Sequence, residues 1–488
     1  MLNLFLGGAA VYRCDSGNET RRLQPLRDCI QRQTRPRGNA RILSELAMAV
    51  PVGNHRRGCS GTQNKAFIAA VSLCATQKQM QSPKGSQQQS SARSTPVIIA
   101  TVNAPRLDRS HAVTSSNWAE VSLDALRQNF RAVRKHVGEH VGICAVVKAD
   151  AYGHGAAACA QALESEGAPW FGVTGTEEAM ALRQAGIKAR LLLMTGIWKG
   201  EEDEVVANRL TPIVWEKWHV EKLEAAAAKK QTVLPIHLKI DTGMTRLGAS
   251  REALPAVCAA IASSPHLSLE GVSTHFATVR DQEKTRNQST LFVEALTVLD
   301  ASKLRPTLIH MANSAAILAR SETWKTMIRP GIALYGYSRV RGTNAAPSAG
   351  AATTLRPVLA WKTRLISLKE VAAGQAVGYG GTFVTQQRSR IAVLPVGYAD
   401  GFHRLLSNRG RVLVGGEYAP VVGRVSMDLT TVDVTNIAGI EIGAEVILIG
   451  ESNGKIIDAA EHARICETIP YEILCSISKR VPRIYTSA

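Results

Sequence analysis

The sequence lacks the features of a disulfide-rich, zinc-binding or membrane-spanning protein. Its nine cysteines include no CxxC pair, so we expect free thiols in a reducing compartment, without a disulfide framework or a metal site. No apolar run approaches the ~20 residues that a transmembrane helix needs. The chain is therefore predicted to have no membrane partner.

Acidic residues are scarce in the first quarter of the chain. Residues 1–116 hold 16 Lys and Arg against 5 Asp and Glu, and so carry +11 of the net charge of +18. The segment is rich in Arg, Gln and Ser and has little sustained apolar periodicity, which predicts a disordered extension over residues 1–115. This composition is typical of a transit peptide for a plastid or mitochondrion; an untargeted tail and a cytoplasmic location are the alternative. The excess charge thus indicates an import machinery, and no nucleic-acid partner is expected.

From residue 116 onward, apolar strands alternate with amphipathic helical segments. Eight strands over roughly 220 residues match a (β/α)8 TIM-type barrel, predicted for residues 116–350. The alternative, a doubly wound open sheet, is disfavoured because no GxGxxG motif follows the first strand. The strand candidates are 142–148, 170–174, 190–195, 211–215, 234–240, 267–276, 307–311 and 327–335.

The composition changes after a linker of small residues at 341–357. The segments that follow are short, rich in β-branched residues and interrupted by glycines, which is typical of an all-β domain. The fold prediction is therefore α/β: a (β/α)8 barrel, then a C-terminal all-β domain over residues 351–488, preceded by the disordered N-terminal extension.

Polar residues follow the predicted strands at the end of the barrel where active sites form. A lysine suits an imine, backbone N–H groups and hydroxyls suit a phosphate, and arginine suits a carboxylate, so a pyridoxal-phosphate site is the hypothesis. Singly, each residue has an ordinary structural interpretation, such as a helix cap for Asn-Ser or a turn for Arg-Pro-Gly. The residues are Lys148, Tyr152, Lys239, Asp241, Arg246, His275, His310, Asn313, Ser314, Arg329, Gly331 and Ile332.

Eight motifs occur in a fixed order along residues 116–488. They are VVKADAYGHG, HLKIDTGMTRLG, THFATV, HMANSA, RPGIALYG, VGYGGTF, LPVGYADGF and GRVSMD. In order and spacing this set resembles the motifs of alanine racemases. The resemblance implies a barrel followed by a β domain, pyridoxal 5′-phosphate as cofactor, an amino-acid substrate and a homodimer with composite active sites. It also implies interconversion of L-alanine and D-alanine for D-alanine biosynthesis; a serine or broad-specificity racemase of the same fold is the alternative.

The resemblance further implies a role for individual residues. Lys148 would be the Schiff-base lysine and one catalytic base, and Tyr379 of the partner subunit would be the opposite base. Arg246 and the backbone of Met427 would receive the substrate carboxylate, while Lys239 aligns with a lysine that is carbamylated in some members. The implied cofactor ligands are Lys148, Tyr152, His275, Asn313, Ser314, Arg329, Gly331, Ile332 and Tyr471, with Tyr398 and Arg424 at the entrance.

Two other pyridoxal-phosphate proteins built on this barrel fit less well. The amino-acid decarboxylases place an acidic residue at the pyridine nitrogen, where RPGIALYG supplies Arg329. The non-catalytic binding proteins lack the C-terminal domain that supplies Tyr379. One departure from the family pattern is Ser426, where many relatives have cysteine. A small filler of similar size is the simpler interpretation, and a shift in substrate preference is the alternative.

Overall fold

The computed structural model describes residues 115–337 and 355–487 of the chain. The predicted N-terminal extension and most of the predicted linker lie outside these residues. The disorder and the targeting role of the extension stay predictions. Within the described residues, no helix has both the length and the apolar character needed to cross a membrane.

Eight parallel strands close into a barrel. All eight predicted strands are present, but seven are shorter than predicted, and the last is shortened most. It ends at Arg329, and Ile332–Tyr335 form a 3-10 turn instead, because Pro330 has no N–H to continue the ladder. The barrel strands are β2 (Gly142–Val146), β3 (Trp170–Val173), β4 (Arg190–Leu193), β5 (Thr211–Val214), β6 (Leu234–Lys239), β7 (Leu267–Ser273), β8 (Leu308–Asn313) and β9 (Met327–Arg329).

Helices follow most of the barrel strands and bury one face each. In the helix before the first barrel strand, Ser122 accepts a hydrogen bond from the Ala125 N–H as an N-cap, and Leu126, Phe130 and Val133 are fully buried, as expected for an amphipathic helix that packs on a sheet. The helices are α1 (Leu123–Val137), α2 (Lys148–Gly153), α3 (Ala156–Ser165), α4 (Thr176–Gln184), α5 (Glu202–Ala207), α6 (Lys217–Lys229), α7 (Leu254–Ala262), α8 (Gln282–Ala301) and α9 (Ser314–Ala319).

The C-terminal domain is built from short antiparallel strands, with two short helices, α10 (Ala459–Ile465) and α11 (Pro470–Ser476), before its last strand. This agrees with the predicted all-β domain. Its strands are β10 (Leu359–Arg364), β11 (Ser367–Val371), β12 (Ala376–Val377), β13 (Phe383–Val384), β14 (Ser389–Leu394), β15 (Arg411–Val414), β16 (Glu417–Pro420), β17 (Thr430–Asp433), β18 (Glu445–Ser452), β19 (Lys455–Ile457) and β20 (Arg483–Thr486).

One strand from the start of the described chain belongs to this C-terminal sheet. Strand β1 (Asn117–Ser122) lies between β10, with which it is antiparallel, and β20, with which it is parallel. The indole N–H of the buried Trp361 donates to Asn117 Oδ1 at 2.7 Å, so a buried polar pair also joins β1 to β10. The range 116–350 predicted for the barrel domain therefore includes one strand that pairs with the other sheet.

Candidate active site

Lys148 is the first residue of α2, directly beyond the end of β2. The next four residues, Ala149 to Tyr152, all have positive φ angles, between 51° and 55°. A left-handed turn costs L-residues roughly 1–2 kcal/mol each, so such a turn persists only where its surroundings hold it. Here it directs the chain sharply away from β2 and leaves Lys148 at the mouth of the barrel.

Two distant side chains hold this left-handed turn. The Glu178 carboxylate accepts hydrogen bonds from the backbone N–H groups of Ala149 and Thr174, both at 2.7 Å. Arg483 of β20 donates from Nε to the carbonyl of Gly153 at 3.0 Å. Neither residue was identified from the sequence; the only available signal was an acidic residue soon after a predicted strand, which is also common at helix N-termini.

Burial and neighbouring positive charges favour the neutral forms of Lys148 and Lys239. Burial lowers the pKa of Lys148, and the charge of Arg246 lowers it further, while Glu178 opposes both. Burial, together with the cations Arg329, Arg246 and Lys148, lowers the pKa of Lys239 to about 8. An amine in such a setting is readily neutral and therefore nucleophilic.

Hydroxyl and amide groups come together beyond β8 and β9. A Cβ atom at Gly331 would overlap the Tyr152 hydroxyl oxygen, so any larger residue would displace that hydroxyl. The Ser314 hydroxyl oxygen accepts from the N–H groups of Gly331 and Ala333, at 2.8 and 3.3 Å. Burial raises the pKa of Tyr152, so its hydroxyl keeps its proton, and its ring centroid lies 5.8 Å from that of Tyr471. These are the donor types that bind a phosphate.

Asn313 and Ile332, two predicted ligands of the cofactor, also have structural roles. Asn313 Oδ1 accepts from the Ala316 N–H at 3.1 Å and so caps α9, which is the ordinary structural interpretation of the Asn-Ser pair. The side chain of Ile332 is buried, so a contact from this residue would come through its backbone. Cofactor contacts by both residues stay predictions.

Arg329 is the last residue of β9 and is only 4% exposed. Its Nη1 donates to Nδ1 and to the carbonyl of His310, both at 2.8 Å, and its Nη2 donates to the Thr274 carbonyl at 2.8 Å and lies 3.4 Å from Nδ1 of His275. Burial and the Arg329 charge lower the pKa of His275 to about 3 and hold that of His310 well below its usual value. Burial lowers the pKa of Arg329 only to about 10. At neutral pH an arginine cation therefore sits among neutral imidazoles.

This set of groups fits pyridoxal phosphate. Lys148 offers an amine for the aldehyde, and the hydroxyls of Tyr152 and Ser314 offer donors for the phosphate. The Gly331 N–H, which donates to Ser314 Oγ here, could turn to the phosphate, and Arg329 would supply a cation to the ring.

Asp241 and Arg246 follow β6 in the barrel domain, whereas Tyr379, Tyr398, Arg424 and Met427 are on the surface of the C-terminal domain. Tyr379 and Met427 are 75% and 54% exposed, and they line one pocket of about 420 Å³ together with Tyr398, Arg424 and others. Among the described residues, no hydrogen bond joins this pocket to Lys148.

The chain matches two family models, described as the N-terminal domain of alanine racemase, over residues 121–339, and its C-terminal domain, over residues 358–485. The chain belongs to the alanine racemase family. A curated relative, alanine racemase 2 of Caldanaerobacter subterraneus subsp. tengcongensis, is 41% identical over 374 residues, which are 75% of this chain and 94% of the relative.

Solved alanine racemases share the fold as well. The enzyme from D-cycloserine-producing Streptomyces lavendulae has a TM-score of 0.72 and 34% identity, over 77% of this chain and 98% of that one. The enzyme from Bartonella henselae, with covalently bound pyridoxal phosphate, has a TM-score of 0.68 and 30% identity, over 76% of this chain and 100% of that one. The chain is thus a pyridoxal-phosphate-dependent isomerase, and the predicted family, fold class and cofactor are confirmed.

Proposed function

We propose that the chain interconverts L-alanine and D-alanine in a homodimer, with Lys148 and Tyr379 of the partner subunit as the two bases. Racemisation removes a proton from one face of the substrate Cα and delivers another to the opposite face, so the two groups must flank that carbon. The observation that carries the proposal is the position of the partly buried Lys148, directly after β2 and held there by the left-handed turn, where burial and the charge of Arg246 lower the pKa of its amine.

The cofactor, when bound, withdraws electrons from the substrate Cα and so makes its proton removable. Tyr152, Ser314, Tyr471 and the backbone of Gly331 and Ile332 would hold its phosphate. Arg329 would face the pyridine nitrogen. An arginine there disfavours a proton on that nitrogen, which limits the charge that spreads into the ring and favours return of the proton to Cα.

The substrate carboxylate would bind Arg246 and the backbone N–H of Met427. Arg246 is close enough to the active-site lysines to lower the pKa of Lys148 and of Lys239. A carbamylated Lys239 would pair with Arg246 and hold it in place. The D-alanine that is released would then be available for biosynthesis.

Exposed apolar side chains on the C-terminal domain support a homodimer. Tyr379, Tyr398 and Met427 are 75%, 44% and 54% exposed and line the same pocket with Arg404 and Arg424. Exposed apolar patches of this kind mark interaction sites. A second copy that covers this pocket with its barrel mouth would bring Tyr379 opposite the other subunit's Lys148, and two-fold symmetry would make two such sites.

A racemisation assay tests the proposed function. The purified holoenzyme is incubated with a panel of L-amino acids, including alanine and serine, and the D-enantiomers are separated by chiral chromatography. Fast formation of D-alanine is expected, with Lys148→Ala inactive towards the whole panel. Faster turnover of serine than of alanine, or no racemisation of either, would contradict the proposal.

A further inference from the structure

A chain of buried polar side chains leads from the barrel mouth to a carboxylate on β7. Arg329 Nη1 donates to His310 Nδ1 at 2.8 Å, and His310 Nε2 lies 2.9 Å from His237 Nδ1. His237 Nε2 faces a Glu270 oxygen at 3.6 Å and has no hydrogen-bond partner among the described residues. Glu270 is itself bound by Arg190, whose Nη2 lies 2.7 Å from Oε2. Both imidazoles are fully buried, so their protons must be placed by protein groups.

Arg329 and Glu270, at the two ends of this series of polar side chains, determine which ring nitrogens of His310 and His237 carry the protons. A guanidinium only donates, so His310 Nδ1 accepts from Arg329. Burial and the Arg329 charge hold the pKa of His310 well below its usual value, so this ring is neutral and carries its proton on Nε2, directed at His237 Nδ1. Burial also lowers the pKa of His237, although Glu270 opposes the shift. The His237 proton is therefore on Nε2, on the side of Glu270, whose nearest oxygen lies 3.6 Å away, beyond hydrogen-bond distance but within reach of the charge.

The carboxylate at the far end is suited to accept that proton. Burial alone would raise the pKa of Glu270, but His237 and Arg190 lower it below its usual value. An ionised carboxylate has no proton to donate. Arg329 can only donate, and ionised Glu270 can only accept. The two neutral histidines between them therefore have one arrangement in which every N–H is directed at an acceptor.

The backbone leaves room for His237 in this position. A Cβ atom at Gly271 would lie 2.5 Å from Nδ1 and Cε1 of the His237 ring, so the neighbouring strand must carry glycine there. The pairing of β6 with β7 also shifts register between Ile236 and His237. Trp170 packs against both partners of Glu270. Its ring centroid lies 5.4 Å from that of His237 and 4.1 Å from the Arg190 guanidinium carbon.

We propose that His237 and Glu270 are positioning residues for the racemisation: they hold His310 in the tautomer that accepts from Arg329. The proposal rests on the proposed place of Arg329 at the pyridine nitrogen. Without the carboxylate, His237 has a competing tautomer whose Nδ1–H opposes the Nε2–H of His310. His310 then moves its proton to Nδ1, where it opposes Arg329 Nη1. The guanidinium is then held only by the backbone carbonyls of His310, Thr274 and Met311 and by His275, and its direction shifts.

The test compares the holoenzyme with Glu270→Gln, His237→Leu and His237→Asn. Leucine and asparagine are similar in size, but only asparagine supplies an oxygen that can accept from His310 Nε2. Three quantities are measured: the visible absorption band of the bound cofactor, kcat/KM, and the pyruvate released per alanine racemised. Pyruvate reports the side reaction in which the amino group of alanine passes to the cofactor.

Interrupting the series of polar side chains from Arg329 to Glu270 is expected to change all three quantities. Glu270→Gln and His237→Leu should shift the absorption band, raise the pyruvate ratio and lower kcat/KM about tenfold to a hundredfold, the range in which misplacement of a remote group acts. His237→Asn should recover most of the wild-type values. A purely structural role would not separate asparagine from leucine.

Glu461→Gln is a matched control. Glu461 accepts two hydrogen bonds from Arg411, at 2.7 and 3.0 Å, and Arg411 lies over the ring of Tyr418 at 3.7 Å. This pair repeats the chemistry of Glu270, Arg190 and Trp170 at a site that no hydrogen bond among the described residues joins to Arg329. Its loss should leave the spectrum and the pyruvate ratio unchanged.

The outcomes separate this proposal from the function on which it rests. If Arg329→Lys leaves the spectrum and the pyruvate ratio unchanged, the assigned place of Arg329 is wrong. If Arg329→Lys changes them but Glu270→Gln behaves like Glu461→Gln, or asparagine at position 237 behaves like leucine, the positioning role alone is wrong. Should His237→Leu fail to fold, the comparison of Glu270→Gln with Glu461→Gln decides.

Discussion

At the scale of the residue, Lys148 and Lys239 have lowered pKa values for the same two reasons: burial and neighbouring cations. For Lys148 this predicts covalent attachment of the cofactor. Borohydride reduction of the holoenzyme should fix a pyridoxyl group on the peptide that contains Lys148, as read by mass spectrometry. Lys148→Ala should lower kcat by roughly three orders of magnitude or more, as for other nucleophile deletions. A pyridoxyl group on a different lysine would contradict the assignment.

Lys239 is expected to react with carbon dioxide. Carbamylation joins carbon dioxide to the neutral amine and releases a proton, so it needs the unprotonated form. Because the pKa is about 8, the neutral fraction grows as the pH rises through that value. At fixed dissolved carbon dioxide, the adduct seen by native mass spectrometry should increase with pH over this interval, and Lys239→Met should lack it. The absence of an adduct at any pH would show that the lysine stays free.

At the scale of the element, the left-handed turn after β2 depends on contacts distant in sequence. Glu178→Ala removes the acceptor of two backbone N–H groups and should lower the free energy of unfolding by about 1–3 kcal/mol, since each hydrogen bond to a charged group contributes on this scale. Activity should fall too, because Lys148 loses its fixed direction. The neighbouring exposed residue gives the control: Glu177→Ala should change neither quantity appreciably. If Glu178→Ala and Glu177→Ala lowered the free energy of unfolding in urea equally, Glu178 would have no special role in holding the turn.

Local periodicity was sufficient to predict the eight barrel strands, but not β1 or the long-range partners of the elements. The eight barrel strands were recognisable because each is a short apolar run between helical segments. The pairing of β1 with β20, at opposite ends of the described chain, has no local signal. The same holds for Glu178, His237 and Glu270, whose importance comes from which groups they face. Residues at strand ends, such as Arg329, were predictable because the barrel places them together.

At the scale of the whole molecule, the basic N-terminal extension is proposed to act in targeting. Residues 1–116 hold 16 Lys and Arg against 5 Asp and Glu, a composition suited to an import machinery. A fluorescent protein fused behind residues 1–115 should enter a plastid or mitochondrion of the source cell, and the chain without them should racemise alanine at the full rate. A fusion that stays in the cytoplasm would contradict targeting, and a folded but inactive truncation would contradict dispensability.

The composite active site is the central claim, and complementation between subunits tests it most directly. Lys148→Ala and Tyr379→Phe each should disable both sites of their own homodimer, but a mixed dimer would have one site with both lesions and one with neither. Random exchange of subunits makes about half of the dimers mixed, each with one intact site of two, so roughly a quarter of the wild-type alanine racemase activity should return. No recovery, despite exchange shown by native mass spectrometry, would mean that Lys148 and Tyr379 do not act across the dimer.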